Sequence, residues 1–242
     1  MTTIQQLVDA VRHVPVDIHD TWDIMTKPIT RHVLVTRIEA YAAAVGVSNH
    51  RIALATSHHS SIGQTPKLIS AITGEPVKRS ESDPANWPPW REAMDKVRGP
   101  AAYGVELDRR HLLGELAAVA VRIEQMASIE AATEKDPNLD CPCDSPGRDL
   151  LRDAAVRLVG LRVVSDNVEV DPLLEVPGDD VYGINWWYLV QALTYARSNQ
   201  VLLTLRPTPQ ATEVWSEGDG VALTSIMMPV ELSPKSTVDK EH

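Results

Sequence analysis

Phenylalanine is absent from the 242-residue chain, cysteine occurs twice, and no apolar run approaches the roughly 20 residues of a membrane helix. Cys141 and Cys143 lie one residue apart, a spacing at which a disulfide is geometrically awkward, so a disulfide scaffold is excluded. A Cys-x-Cys pair also lacks the second ligand pair of a zinc site, and neither Asp140 and Asp144 nor His58-His59 supplies it, so no metal is expected. Phosphate-binding, dinucleotide, nucleophile-elbow and zinc-protease motifs are missing, and the carboxylates form no spaced acid–base set. The expectation is a protein without catalysis or cofactor. Met1 to Ala10 lacks the basic-then-apolar pattern of a signal peptide, so a soluble, cytoplasmic chain is expected. Basic residues are also short, 23 Lys and Arg against 33 Asp and Glu, a net charge of -10. That balance excludes a protein gripping nucleic acid over its whole surface and leaves room only for a local basic face.

What is present reads as globular: 43% hydrophobic and 23% charged residues, enough for one large or two ordinary domains. Ile4, Leu7, Val8 and Val11 recur at helical spacing, with Thr2 or Thr3 as cap and Pro15 as stop. Arg31–Arg37, Ala40–Val45 and Arg51–Thr56 read as a β-meander. Pro66 and Gly74 bracket Thr65–Ile72 as a short helix, and Val77–Ser82 as a closing strand. Asp83–Pro100 holds four of the 17 prolines and two of the six tryptophans, and reads as a linker. Beyond it Asp108 caps a long helix through Met126, and Ala127–Gly147 reads as an exposed loop. Val156–Val164 and Asn167–Val176 are strand-like, Asn185 caps a helix over Trp186–Arg197, and Val201–Leu205, Thr212–Trp215 and Val221–Val230 are strands. Gly218-Asp219-Gly220 makes the last hairpin turn. Helix, strands, helix, strand thus occurs on both sides of the Pro/Trp segment, which predicts an α+β chain with helices on one face of antiparallel sheets. Trp87, Trp90, Trp186 and Trp187 crowd two short segments, as core or interface anchors do.

Four segments follow in order: Trp87-Pro88-Pro89-Trp90-Arg91; Leu107 to Met126; Gly183-Ile184-Asn185-Trp186-Trp187-Tyr188-Leu189-Val190-Gln191-Ala192-Leu193; and Met228-Pro229-Val230-Glu231-Leu232. Over residues 87 to 232 they resemble the last domain of the bacterial-type DNA polymerase sliding clamp family. That domain opens on an F-P-D-Y-R-R-like segment, has a G-x-N-x-x-Y-L-x-x-A-L helix and ends on M-P-M/V-R-L. Val47-Ser48-Asn49-His50-Arg51-Ile52-Ala53 is similar to the T-D-G-H-R-L-A stretch of the family's middle domain, preceded by Arg31-His32-Val33-Leu34. The resemblance implies a DNA-clamp fold in two domains, a shortened one at 1–86 and a second at 87–233, then a tail at 234–242. Nothing in the chain resembles the family's first domain.

The resemblance further implies a processivity factor that encircles duplex DNA without reading its sequence, and binds DNA polymerase and clamp loader through a short peptide motif. If six domains close a ring, two-domain chains form a homo-oligomer of three. The DNA-facing residues would be Arg12, Lys67, Arg109, Arg110, Arg122 and Arg197, on or beside the expected helices. Client peptides would meet Leu34, His50, Arg51, Ile52, Pro88, Met228, Pro229, Val230 and Leu232, with Ala93 and Ile226 at the edges. Read alone, each cation is a solvated surface charge and Ile226–Leu232 a core edge strand. Two departures stand out: Glu231 replaces a basic residue, and Ser233–His242 extends past the family's usual terminus. The alternative is a clamp-fold interaction protein that never encircles DNA, which the short first half and the charge of -10 favour.

Overall fold

The computed structural model describes residues 3–15, 31–48, 50–58, 65–78, 84–97, 103–118, 121, 155–159, 162–165, 168–172, 181–206 and 211–228. The first helix, α1 (Ile4–Val11), is fixed by a capping box: Thr3 Oγ1 accepts the Gln6 N–H at 3.2 Å, and Gln6 Oε1 accepts the Thr3 N–H at 2.8 Å. Its apolar stripe, Leu7, Val8, Ala10 and Val11, is buried. The expected meander follows as β1 (His32–Ile38), β2 (Tyr41–Val47) and β3 (Arg51–Ser57), paired antiparallel in chain order.

Thr65–Ile72 is not a helix. Lys67–Ser70 is a strand, β4, pairing antiparallel with β1, with Leu68 opposite Leu34 and Ile69 opposite Val33. Leu68 and Ile69 are adjacent yet buried in different clusters, one on each face of the sheet. Only a strand's alternation sends neighbours to opposite faces. Gly74, at φ 75°, turns the chain after β4, and Pro76 then makes a single bridge to Ile69. Asp83–Pro100 is likewise no simple linker, because it holds a 3₁₀ turn (Pro84–Asn86) and α2 (Trp90–Val97), with Trp87, Trp90 and Met94 buried. Pro88 and Pro89 stand immediately before the helix, where a missing N–H costs nothing.

The chain continues through β5 (Tyr103–Asp108), α3 (109–118), β6 (Ala155–Val159), β7 (Arg162–Ser165), β8 (Val168–Pro172) and β9 (Val181–Asn185). It then forms α4 (Trp186–Tyr195), β10 (Gln200–Leu205), β11 (Thr212–Gly218) and β12 (Val221–Met227). The expected loop at Ala127–Gly147 and the far end of the expected 108–126 helix lie outside the described residues. Asp219 and Gly220, at φ 54° and 73°, form the two-residue turn that lets Gly218 pair with Val221. No helix among the described residues is long and apolar enough to cross a membrane.

Residues 1–113 and 188–228 form one compact unit, and 114–187 with 229–242 a second. The first holds an eight-stranded sheet in the order β4-β1-β2-β3-β12-β11-β10-β5, the second a four-stranded sheet, β8-β7-β6-β9. One plan underlies both: a helix followed by three antiparallel strands, seen in α1-β1-β2-β3, α3-β6-β7-β8 and α4-β10-β11-β12. In each case another strand, β4, β9 or β5, lies beside the first of the three. Among the described residues, 1–78 contain one such set and 103–227 two.

In the first unit α1 packs on the face made by Val33, Val35, Ala42, Ala44, Ala53, Ala55, Val221 and Leu223. The small residues of β2 and β3 let the helix come close. A Cβ added at Gly46 would lie 2.5 Å from the Val11 carbonyl oxygen, a backbone atom that cannot swing aside. Gly46→Ala is therefore expected to destabilise the fold by about 1–3 kcal/mol, the range of an overpacked core. Urea denaturation checks it; an unchanged midpoint would show that α1 is not seated on β2.

Candidate functional site

Strand register places one residue from each strand in a row across the eight-stranded sheet: Leu68, Leu34, Val45, Leu54, Thr224, Trp215, Leu202 and Glu106. Beside it Ile52 stands opposite Ile226, where β3 meets β12. On this face Leu34, Val45, Ile52, Leu68, Ala211 and Ile226 gather with Trp87, Trp90 and Met94 into one buried cluster, against which Val47, Leu54 and Ala93 pack. Segments from residues 34 to 226 thus meet at one apolar site. Burying each large side chain there contributes about 1.5–3 kcal/mol.

Of the residues expected at a peptide pocket, Leu34, Ile52, Ala93 and Ile226 belong to this cluster. Pro88 is half-buried between the two tryptophans in the chain, and Met228 stands exposed just past β12, its N–H donating to the His50 carbonyl at 2.9 Å. Pro229, Val230 and Leu232 lie outside the described residues. Arg51 departs from the set. Strand alternation turns it to the opposite face from Ile52, where its Nη1 donates to Gln191 Oε1 and its guanidinium stacks 4.6 Å from the Tyr188 ring centroid. His50 is exposed, 6.5 Å from the same ring. Arg51 is buried, so it ties β3 to α4 and is not offered to a ligand.

Val45, Leu68 and Met94 entered the cluster without a sequence signal beyond their apolarity. Trp87 and Trp90 did carry one, as crowded anchors in a proline-rich stretch. The Trp87 Nε1 has no hydrogen-bond partner among the described residues.

The cations expected to face DNA are scattered in role. Arg12 is exposed at the end of α1, 3.4 Å from Asp9, and Arg110 is exposed on α3. Lys67 is exposed on a strand, β4, where a helix was expected. Arg109 is half-buried and donates from Nη1 to the Ala196 carbonyl at 2.8 Å, neutralising the negative end of α4. Arg197 is half-buried too, its N–H donating to Ser216 Oγ at 2.9 Å. Arg122 lies outside the described residues. Asp108 does cap α3: it accepts the His111 N–H at 2.9 Å, the chief cause that holds its carboxyl below the usual range. No group of three His, Cys, Asp or Glu side chains that could hold a metal occurs among the described residues.

No protein-family profile and no curated protein matches the sequence. Solved structures do. A DNA polymerase sliding clamp from Pseudomonas aeruginosa superposes with a TM-score of 0.59 at 13% identity, covering 94% of this chain and 64% of that one. The chain has the sliding-clamp fold. DNA polymerase III subunit beta from Borrelia burgdorferi, in complex with a natural product, gives 0.60 at 13% identity, over 95% of this chain and 62% of that one. The Helicobacter pylori beta clamp with 3,4-difluorobenzamide gives 0.56 at 12%, over 94% and 64%. The chain spans less than two thirds of the length of the clamps it matches. Its α+β architecture, antiparallel sheets with helices packed on them, is the one the four sequence segments implied.

His13, which no sequence motif marked, follows α1 and joins it to α4. Its ring stacks on Tyr195 at 3.9 Å with planes 4° apart, and burial, then the Arg51 charge, hold its pKa down to about 3 from 6.5. A His kept neutral in the fold gives stability present in full above pH 6.5 and lost as the pH falls towards 3, because only the unfolded chain takes up the proton in that window. His13→Phe keeps the stack and removes the titration. The variant should gain on the wild type by up to ~1.4 kcal/mol per pH unit across that window. Parallel stability curves from urea melts at pH 7, 5.5 and 4 would show that His13 is not buried in its neutral form.

Proposed function

We propose that the chain is a reduced sliding clamp acting in DNA replication, a processivity factor whose working surface is the apolar site at the β3–β12 junction. The observation that carries this reading is the convergence of Leu34, Ile52 and Ile226 with Trp87 and Trp90, under a rim of Pro88, Ala93 and Met228. Six of those residues, Leu34, Ile52, Pro88, Ala93, Ile226 and Met228, are among the ones the family resemblance assigns to peptide binding, and they come from β1, β3, the start of α2 and the end of β12. A client such as a DNA polymerase or clamp loader would place a short apolar motif against the rim, where methionine adapts to differently shaped side chains. In this reading residues 1–86 and 87–233 are the two clamp domains, 234–242 a tail, and three chains close a ring around duplex DNA. Sparse exposed cations, Arg12 and Arg110 on α1 and α3, suit weak phosphate contacts that let a topologically held protein slide.

One observation favours a second reading. Among the described residues, 1–78 supply a single helix-and-three-strand set where 103–227 supply two, three sets against the four of two complete domains. A clamp-fold protein of that kind would bind replication proteins without encircling DNA. Loading on circular and linear duplex separates the two: a ring is retained on circles and lost from free ends, an interaction protein is indifferent to the ends. A mass in solution that stays monomeric at micromolar concentration, with or without DNA, would count against the ring.

Two substitutions test the surfaces. Met228→Glu is expected to weaken an apolar client peptide about tenfold or more while leaving the fold intact, since the side chain is already exposed. Equal peptide affinities for variant and wild type would remove Met228 from the site. Arg110→Glu should lower DNA association equally for all sequences and flatten its salt dependence; a loss restricted to one sequence would contradict phosphate contact.

A further inference from the structure

The apolar face that carries the docking site does not stop at Ile226. In the row that crosses the sheet, Leu54 of β3 is followed by Thr224, Trp215 and Leu202 of β12, β11 and β10. Leu54 and Leu202 are half-buried, and Trp215 is 37% exposed, a large aromatic ring left open on a sheet. The opposite face of the same strands is closed, with Leu107, Leu203, Val214 and Leu223 buried.

The exposed charge on the four strands β5 and β10–β12 is acidic, the neighbouring Arg206 being buried and paired with Glu213. Strands β5, β10, β11 and β12 contain no lysine or arginine and four acids: Glu106, Asp108, Glu213 and Glu217. Alternation puts all four on the face of Trp215, since Glu213 and Glu217 flank it by two residues on β11, while Glu106 shares its row. Glu213 is committed to Arg206 at 3.0 Å, and Asp108 accepts from His111 and Asn199. Glu106 and Glu217 remain exposed. Such a surface repels DNA phosphates and a second copy of itself. An extended segment carrying apolar and cationic side chains fits it, the cation over the indole and between the two carboxylates.

We propose that the ledge around Trp215 is a second contact for the same client peptide that docks at the β3–β12 junction, receiving a lysine or arginine that stands beyond the apolar anchor; this rests on the docking reading above. Trp215 lies one strand across and two residues along from Ile226, about 8 Å. Two to three residues of extended chain cover that distance. The ledge thereby selects clients whose anchor is followed by a basic residue, and it does so in a salt-sensitive way.

The test uses two fluorescent peptides with one apolar anchor, one bearing Lys-Lys three residues further on and the other Ser-Ser. The lysine peptide should bind the full chain about fivefold more tightly at low salt. Trp215→Ala, or Glu106→Gln with Glu217→Gln, should erase the difference and leave the serine peptide unchanged. Equal binding of both peptides to the wild type overturns the proposal. If neither peptide binds, the docking reading fails, and the ledge is measured alone through the indole N–H resonance of Trp215, assigned with Trp215→Phe and titrated with tetralysine. A shift that the double glutamine variant abolishes supports a cationic occupant; no shift overturns it.

Discussion

The pairing of β3 with β12 is the constraint on which the first unit depends. Six residue pairs, from Ala222 with Thr56 to Met227 with Arg51, join strands about 170 positions apart and turn two four-stranded sheets into one of eight. Everything attributed to a site follows from that register. Ile52 meets Ile226 on one face, while on the other Ala53 and Ala55 share the α1 core with Leu223. A slip of one residue would exchange the two faces and dismantle both clusters. The polar ties around the junction reinforce the same register: Arg51 reaches Gln191 and Tyr188, His13 stacks on Tyr195, and the Met228 N–H closes on the His50 carbonyl.

Electrostatics in this chain serves the fold before it serves any partner. Buried or half-buried arginines neutralise helix ends or pair with acids: Arg109 at the Ala196 carbonyl, Arg206 with Glu213 and the Ala211 carbonyl. A guanidinium presents several donors in a fixed plane, so it satisfies a carbonyl and a carboxylate at once in a pre-organised geometry. What remains for solvent is a thin set of cations on a body of net charge -10. Any attraction to phosphate would have to be local and weak.

Much of the fold was legible in the sequence because its signals were local. The capping box at Thr3, the Asp219-Gly220 turn and the β-branched runs of β1 and β3 each announce one conformation. Thr65–Ile72 misled because Pro66 and Gly74 punctuate a helix and a short strand alike, and only pairing with β1 decides between them. The Pro/Trp segment misled in the other direction. Proline density suggested a connector, yet the tryptophans between the prolines had to be buried somewhere, and they fill the site. Arg51 illustrates a third limit: a motif match locates a residue in the chain, while the side of the sheet on which it projects is set by alternation from Ile52. Partners such as Gln191 and Tyr195 carry no sequence mark, because their value comes from what folding brings opposite them.

The β3–β12 joint has a consequence for how the chain comes into being. During synthesis β1, β2 and β3 emerge early and can pair with one another from local contacts alone. The outer edge of β3 must then wait, with its N–H and C=O groups unmatched, until residues 221–227 have been made. Long-range pairing of this kind is slow to form, since the intervening loop must be closed before any contact rewards it. Until that strand arrives, β3 leaves an unpaired edge beside Ile52 and Leu54, the kind of edge on which chains associate.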